Sequence, residues 1–137
     1  MKPTRYGKFN YDHLLPMIES DDYRRYESPG YLRLVIEKLY YPDCKGRPVY
    51  SIAHYDEQNG DLMRDPEITF SFDHESQTVE PQTFQNDYMG HYEEIYENRN
   101  GVWLYSKSHR ASLDDFLHTW LKNIEHQGYT MAESNIY

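Results

Sequence analysis

The C-terminal part of the chain carries one apolar stripe that limits how this protein can fold. Six apolar residues recur at helical spacing, namely Leu113, Phe116, Leu117, Trp120, Leu121 and Ile124. This spacing predicts an amphipathic helix, with Ser112 as its N-cap and Gly128 as a left-handed residue just beyond its end. A helix with a single apolar face must pack on a second apolar layer.

That second layer is predicted from a period of two. Ile68, Phe70 and Phe72 alternate with polar residues, which is typical of a strand with one buried face. The dipeptides Asn59-Gly60 and Asn100-Gly101 predict tight turns. Strands are predicted at residues 31–41, 49–55, 68–73, 78–84, 92–96 and 102–105.

The N-terminal residues 9–27 are predicted to form one or two short helices. Asn10 is a candidate cap for the first and Ser20-Asp21-Asp22 for the second, while Pro16 limits the first. The predicted fold class is α+β, with short N-terminal helices and an antiparallel sheet of about five strands packed against the C-terminal amphipathic helix. Residues 1–137 show no repeat and no linker, which predicts a single domain.

Charge and composition narrow the class of function. The 137 residues include 14 Lys+Arg and 23 Asp+Glu, a formal charge of −9, which argues against direct nucleic-acid binding because phosphate contacts require excess Lys and Arg. No apolar run is long enough to span a bilayer, and no export signal is visible. Cys44 is the single cysteine, so a reducing cytoplasm is expected.

The negative charge is concentrated in the middle of the chain. Residues 56–97 contain twelve acidic residues and one basic residue, Arg64, a distribution that creates a strong local potential. We therefore expect this segment to dock on a basic surface of a partner protein, with tyrosines adding contact area. The candidate partner-binding residues are Asp56, Glu57, Asp61, Asp65, Glu67, Glu93, Glu94 and Glu97, together with Tyr55, Tyr88, Tyr92 and Tyr96. The competing interpretation is that these charges serve only solubility.

A second hypothesis is a metal-dependent hydrolase or nuclease. Residues 54–67 contain one imidazole and five carboxylates, and carboxylate oxygens are the ligands that Mg²⁺ and Ca²⁺ prefer. The candidate ligands are His54, Asp56, Asp65 and Glu67. The spacing does not fit an EF-hand, and no nucleophile elbow or phosphate loop is present, so no catalytic residue, metal or cofactor is assigned. A third hypothesis is self-association of an accessory protein through its tyrosine-rich sheet.

Four short runs stand out along the chain, namely His54-Tyr55-x-x-Gln58-Asn59-Gly60-Asp61-Leu62-Met63-x-Asp65-Pro66-Glu67, Gln85-Asn86-Asp87-Tyr88-x-Gly90, Phe116-x-x-x-Trp120-Leu121-x-Asn123-Ile124 and Gln127-Gly128-Tyr129. Together they resemble an uncharacterised domain family carried by bacterial conjugative elements, plasmids and phages. The resemblance implies an origin on a mobile element and carries over no activity. Mobile elements encode small acidic proteins that block host defence, so it favours an inhibitor that mimics nucleic acid, such as an anti-CRISPR or anti-restriction protein.

Overall fold

The computed structural model describes residues 1–132, which contain two helices and nine strands. The helices are α1 (Gly7–Ile18) and α2 (Lys107–His126). The strands are β1 (Tyr23–Glu27), β2 (Arg33–Pro42), β3 (Pro48–Gln58), β4 (Asp61–Asp73), β5 (Thr78–Asn86), β6 (His91–Glu94), β7 (Tyr96–Arg99), β8 (Val102–Tyr105) and β9 (Thr130–Met131). The predicted domain extends to residue 137, and residues 133–137 lie outside the described part.

The strands form one large antiparallel sheet and one small one, so the α+β class is confirmed. The large sheet has seven strands in the order β6-β5-β4-β3-β2-β1-β9, and β7 pairs with β8 in the small sheet. The predicted count of about five was too low. The predicted strand at 92–96 is divided at Ile95, which is buried in the core.

The N-terminal region corrects the prediction of more than one short helix. A single helix, α1, runs through Pro16 to Ile18, and the segment expected to form a second helix is strand β1. Tyr23 pairs with Glu37 and Arg25 with Val35 along β2, so tertiary pairing decides this short segment. Asn10 is buried inside α1 rather than capping it.

Helix α2 carries the predicted apolar stripe but begins earlier than predicted. Ser106 is the N-cap, and its Oγ accepts a hydrogen bond from the backbone N–H of His109 at 3.3 Å. Of the stripe residues, Phe116 is 44% exposed and the other five are buried. Gly128 follows the helix with φ of 73°, the left-handed conformation predicted for it.

Both helices pack on the same face of the large sheet. Leu34, Ile36, Ile52 and Ile68 point to that face and join α1 and α2 in one apolar core. Successive residues of a strand point to opposite faces. In the described part of the chain no helix covers the opposite face, which we call the open face.

Candidate functional site

Two of the predicted site residues hold the far end of the β3–β4 hairpin to the turn after β5. Asp56 accepts a hydrogen bond from the hydroxyl of Tyr88 at 2.6 Å. Asp65 accepts one from the side-chain amide of Asn86 at 3.0 Å. These contacts join the first two sequence runs of the family resemblance, residues 54–67 and 85–90, so both carboxylates have a structural role.

A third contact between the β3–β4 hairpin and the turn after β5 involves Arg64 and Asp87. The backbone N–H and Nε of Arg64 donate to Oδ2 of Asp87 at 2.7 and 3.0 Å, and the backbone N–H of Asp87 donates to the carbonyl oxygen of Arg64 at 3.0 Å. Burial acts to raise the pKa of Asp87, but the bonds from Arg64 outweigh it and hold that pKa below its usual value. We call Asp56, Asp65 and Asp87 the hairpin-end acids.

His54, the imidazole of the proposed metal site, packs instead against the C-terminal elements. Its Nε2 lies 3.1 Å from the hydroxyl of Tyr129, and its ring meets the ring of Trp120 at a centroid distance of 5.1 Å. Burial lowers the pKa of His54 to about 4, so the ring is neutral near pH 7. Within residues 1–132, no group of three or more His, Cys, Asp or Glu side chains is placed to hold a metal ion.

The open face brings together residues that lie far apart in the sequence. Glu37 pairs with Ser51 and Ser51 with Thr69. Thr69 then pairs with Thr83, and Thr83 with Glu94. Directly paired residues share a face of a sheet, so these five side chains form one row with a carboxylate at each end and hydroxyls between.

Glu67 lies in the adjacent row of the same face, where it pairs with Ala53 and Gln85. Its side chain is 15% exposed, and Oε2 accepts a hydrogen bond from Ser51 at 2.8 Å. Arg64 lies 3.9 Å from its other oxygen, at the limit of an ion pair. We call Glu37, Glu67 and Glu94 the open-face acids.

These glutamates influence one another and the tyrosines around them. Burial, and then the charge of Glu67, raise the pKa of Glu37. Burial followed by Glu67 and Glu37 raises the pKa of Tyr55 to about 12. Burial and a hydrogen bond to Glu94 likewise raise the pKa of Tyr92 to about 12. The open-face acids therefore lie close enough to raise the pKa of Glu37 and of the tyrosines beside them.

Three other predicted residues, Glu93, Tyr96 and Glu97, do not join this face. Glu93 faces α2, where it lies 2.9 Å from Nδ1 of His109, and Glu97 pairs with Arg99 on the small sheet. Tyr96 is 9% exposed and its hydroxyl donates to Glu80, so it belongs to the core rather than to a contact surface. Three others are exposed near the hairpin end, namely Glu57, Asp61 and Tyr88.

Sequence reasoning missed Glu37 and Tyr41 as members of the open face. Burial, and then the charge of Glu67, raise the pKa of Tyr41, which shows how near this ring is to the glutamates. Both residues precede the acidic segment 56–97 and so escaped a search based on local charge. The alternation of Leu34 and Ile36 with Val35 and Glu37 was the available signal, because it directs Glu37 away from the core.

The fold and this surface define an α+β protein whose sheet is covered by helices on one face and carries clustered glutamates on the other. A family model described as a domain of unknown function, DUF6908, matches residues 9–130. The chain belongs to the DUF6908 family, and the matched range includes both the hairpin end and α2. Neither the curated proteins nor the solved structures contain a match. Within residues 1–132, neither helix is long and apolar enough to cross a membrane.

Proposed function

We propose that this protein is a non-enzymatic binding protein from a mobile genetic element that covers a basic surface of a partner protein in the cytoplasm. The observation that supports the proposal most directly is the position of Glu37, Glu67 and Glu94 on the sheet face that neither helix covers. The reducing compartment is proposed from the single cysteine, Cys44.

The electrostatics of the open face favour a positively charged partner. Like charges held close together raise each other's pKa, as Glu67 does for Glu37, and a cation bound between them removes that repulsion. Complementary charge also speeds the encounter of two proteins. The open-face acids therefore contribute more to association than to the stability of the isolated chain.

The class of partner follows from the same chemistry. Nucleic-acid-binding grooves are lined with Lys and Arg that contact phosphates, and aromatic rings in such proteins stack on bases. A face carrying carboxylates and tyrosines offers negative charge and rings in their place. Together with the mobile-element resemblance, this favours a host defence protein as the target, and inhibition by mimicry of nucleic acid as the mechanism.

The test is binding to purified basic proteins by the wild-type chain and by two charge-matched variants. The open-face variant is Glu37→Gln/Glu67→Gln/Glu94→Gln, and its control is Asp12→Asn/Glu75→Gln/Glu125→Gln, which removes three charges elsewhere. Proteins from the heparin-binding fraction of a host lysate are captured on the immobilised chain. Each captured protein is then purified and titrated by calorimetry, with and without duplex DNA.

The proposal predicts that the open-face variant binds at least about tenfold more weakly, while the control variant changes affinity less than about threefold. Raising salt from about 50 to about 300 mM should weaken binding, and duplex DNA should compete. Equal affinity of the two variants, binding that DNA leaves unchanged, or capture of no basic protein would each contradict the proposal.

A further inference from the structure

A cavity of about 280 Å³ lies between the open face and the β7–β8 hairpin. Its lining includes four aromatic side chains, two hydroxyls and two carboxylates, from Tyr41, Tyr92, Tyr96, Trp103, Thr69, Thr83, Asp43 and Glu94. Small-molecule sites usually measure about 300–1,000 Å³. This volume is therefore better suited to a single inserted side chain than to a cofactor.

Three of the four aromatic side chains that line the cavity are half exposed. Tyr41 is 52% exposed, Tyr92 is 55% and Trp103 is 50%. Trp103 belongs to β8, a strand of four residues that are all exposed, and it pairs with Asn98 of β7. An exposed Trp beside exposed Tyr rings is typical of the central contacts of protein interfaces. These rings therefore have apolar area that a bound side chain would cover.

Glu94 lines the cavity, and the hydrogen bond shown for its carboxylate comes from a neutral group rather than from a cation. The carboxylate of Glu94 accepts a hydrogen bond from the neutral hydroxyl of Tyr92 at 2.9 Å. Asp43, the other acid that lines the cavity, already has a cation partner, because Nε of Arg47 lies 2.8 Å from its Oδ2. Glu94 is thus the carboxylate that an incoming cation would meet.

The combination of rings, hydroxyls and one carboxylate without a cation partner among the described residues, Glu94, selects among cations. A guanidinium group is planar and stacks on aromatic faces, and its several N–H donors can reach a carboxylate and hydroxyls together. An ammonium group is more strongly hydrated and has no plane to stack. We propose that this cavity binds an arginine side chain of the basic partner, with Tyr92, Trp103 and Glu94 as its recognition residues. This inference rests on the proposed function and names the contact that would give it specificity.

The test uses a blocked pentapeptide with one arginine between glycines, and the same peptide with neutral citrulline. The chain has two tryptophans, Trp103 and the buried Trp120, so the Trp103 indole signal is resolved by NMR and assigned with Trp103→Phe. Cys44 also lines the cavity and is the single cysteine. Its rate of alkylation by N-ethylmaleimide, followed by mass spectrometry, is an independent measure of occupancy.

The arginine peptide should shift the Trp103 signal saturably, slow the alkylation of Cys44 and leave the Trp120 signal in place. The citrulline peptide should neither shift the Trp103 signal nor slow the alkylation of Cys44. A lysine peptide should bind more weakly than the arginine peptide. Glu94→Gln should weaken arginine binding about fivefold, whereas the neighbouring Glu93→Gln, on the helix-covered face, should leave it unchanged. Melting temperatures of the two variants show whether both remain folded.

Several outcomes would overturn the inference. They are no saturable shift with arginine, equal binding of arginine and citrulline, lysine binding as tight as arginine, or equal effects of Glu94→Gln and Glu93→Gln. The proposed function is tested independently, by measuring how the triple variant binds the purified partner. If the peptide fails while the partner still requires the open-face acids, the cavity is wrong and the function stands. If the peptide binds but no basic protein is captured, the cavity binds arginine and the proposed function is wrong.

Discussion

The hairpin-end acids and the open-face acids lie in or beside the same sheet and carry the same charge, but their surroundings differ. Asp87 receives two hydrogen bonds from Arg64, which lower its pKa against the effect of burial. Glu37 lies near another glutamate, and its pKa is raised. A carboxylate that is hydrogen-bonded to an arginine, as Asp87 is, stabilises the fold. A carboxylate that lies near another carboxylate, as Glu37 does, is typical of a binding surface.

A third acidic environment lies in the buried part of the sheet, at Glu80. Glu80 accepts two hydrogen bonds from Arg110, at 2.6 and 2.8 Å, and one from the hydroxyl of Tyr96. The side chains of Glu80 and Arg110 are 8% and 12% exposed. Charge alone therefore does not indicate the role of an acidic residue in this protein. The charge that faces the carboxylate does, because Asp87 and Glu80 face an arginine whereas Glu37 lies near another glutamate.

The largest expected effect is on this buried pair. Glu80→Gln leaves the guanidinium of Arg110 buried without its counter-charge, and loss of one partner of such a pair should lower the free energy of unfolding by about 3 kcal/mol. Urea unfolding measures it. In the double variant Glu80→Gln/Arg110→Met the buried charge is gone, so part of the loss should be recovered. A single variant as stable as the wild type would show that the pair contributes little.

The next effect concerns the hairpin end. Asp87→Ala removes the acceptor for two hydrogen bonds from a partly exposed cation, Arg64, and should cost about 1.5 kcal/mol. Asp61→Ala, an exposed acid beside the hairpin turn, is the matched control and should change stability by less than about 0.5 kcal/mol. Equal losses in the two variants would mean that the hairpin-end contacts are not a structural tie.

The parts of the fold that could be predicted are those that depend on local pattern. The stripe of α2, the period of β4 and the turns at Asn59-Gly60 and Asn100-Gly101 required only neighbouring residues, and all four turn residues have positive φ. Strand β1 could not be predicted in this way, because its five residues form a strand by pairing with β2. Its charged residues and the acidic turn before it are equally compatible with a helix.

The candidate site was predictable only in part, for a related reason. A local count of charge found Glu67 and Glu94, which lie in the acidic segment. Their assembly with Glu37 depends on strand order, which brings β2 and β6 into one sheet across three intervening strands. The same count also included Asp56 and Asp65, whose partners Tyr88 and Asn86 lie more than 20 residues away in sequence. Sequence gives the charges but not their partners.

A smaller effect of opposite sign is expected at the open face. Because the pKa of Glu37 is higher in the folded chain than its ordinary value of 4.5, the folded state holds more protons in that range and loses stability as pH rises through it. Glu37→Gln should therefore raise the free energy of unfolding near pH 7 by about 0.5 kcal/mol, with no gain below about pH 4. Thermal unfolding across pH measures this. A variant less stable than the wild type near pH 7 would place Glu37 among the structural acids.

The smallest expected effect is that of divalent cations on the melting temperature. It shows whether the hairpin-end acids bind a metal ion or only hold the hairpin to the turn after β5. A site that bound Mg²⁺, Mn²⁺ or Ca²⁺ with a Kd one hundredth of the ion concentration would stabilise the folded chain by about 2.7 kcal/mol, which raises the melting temperature by several degrees for a domain of this size. Asp56 and Asp65 are instead held by Tyr88 and Asn86. We expect no calorimetric heat and no change in melting temperature at about 5 mM of each ion. A saturable shift that Asp65→Asn abolishes would revive the hydrolase hypothesis, because a carboxylate that leaves Asn86 for a metal ion serves as a ligand rather than as a tie.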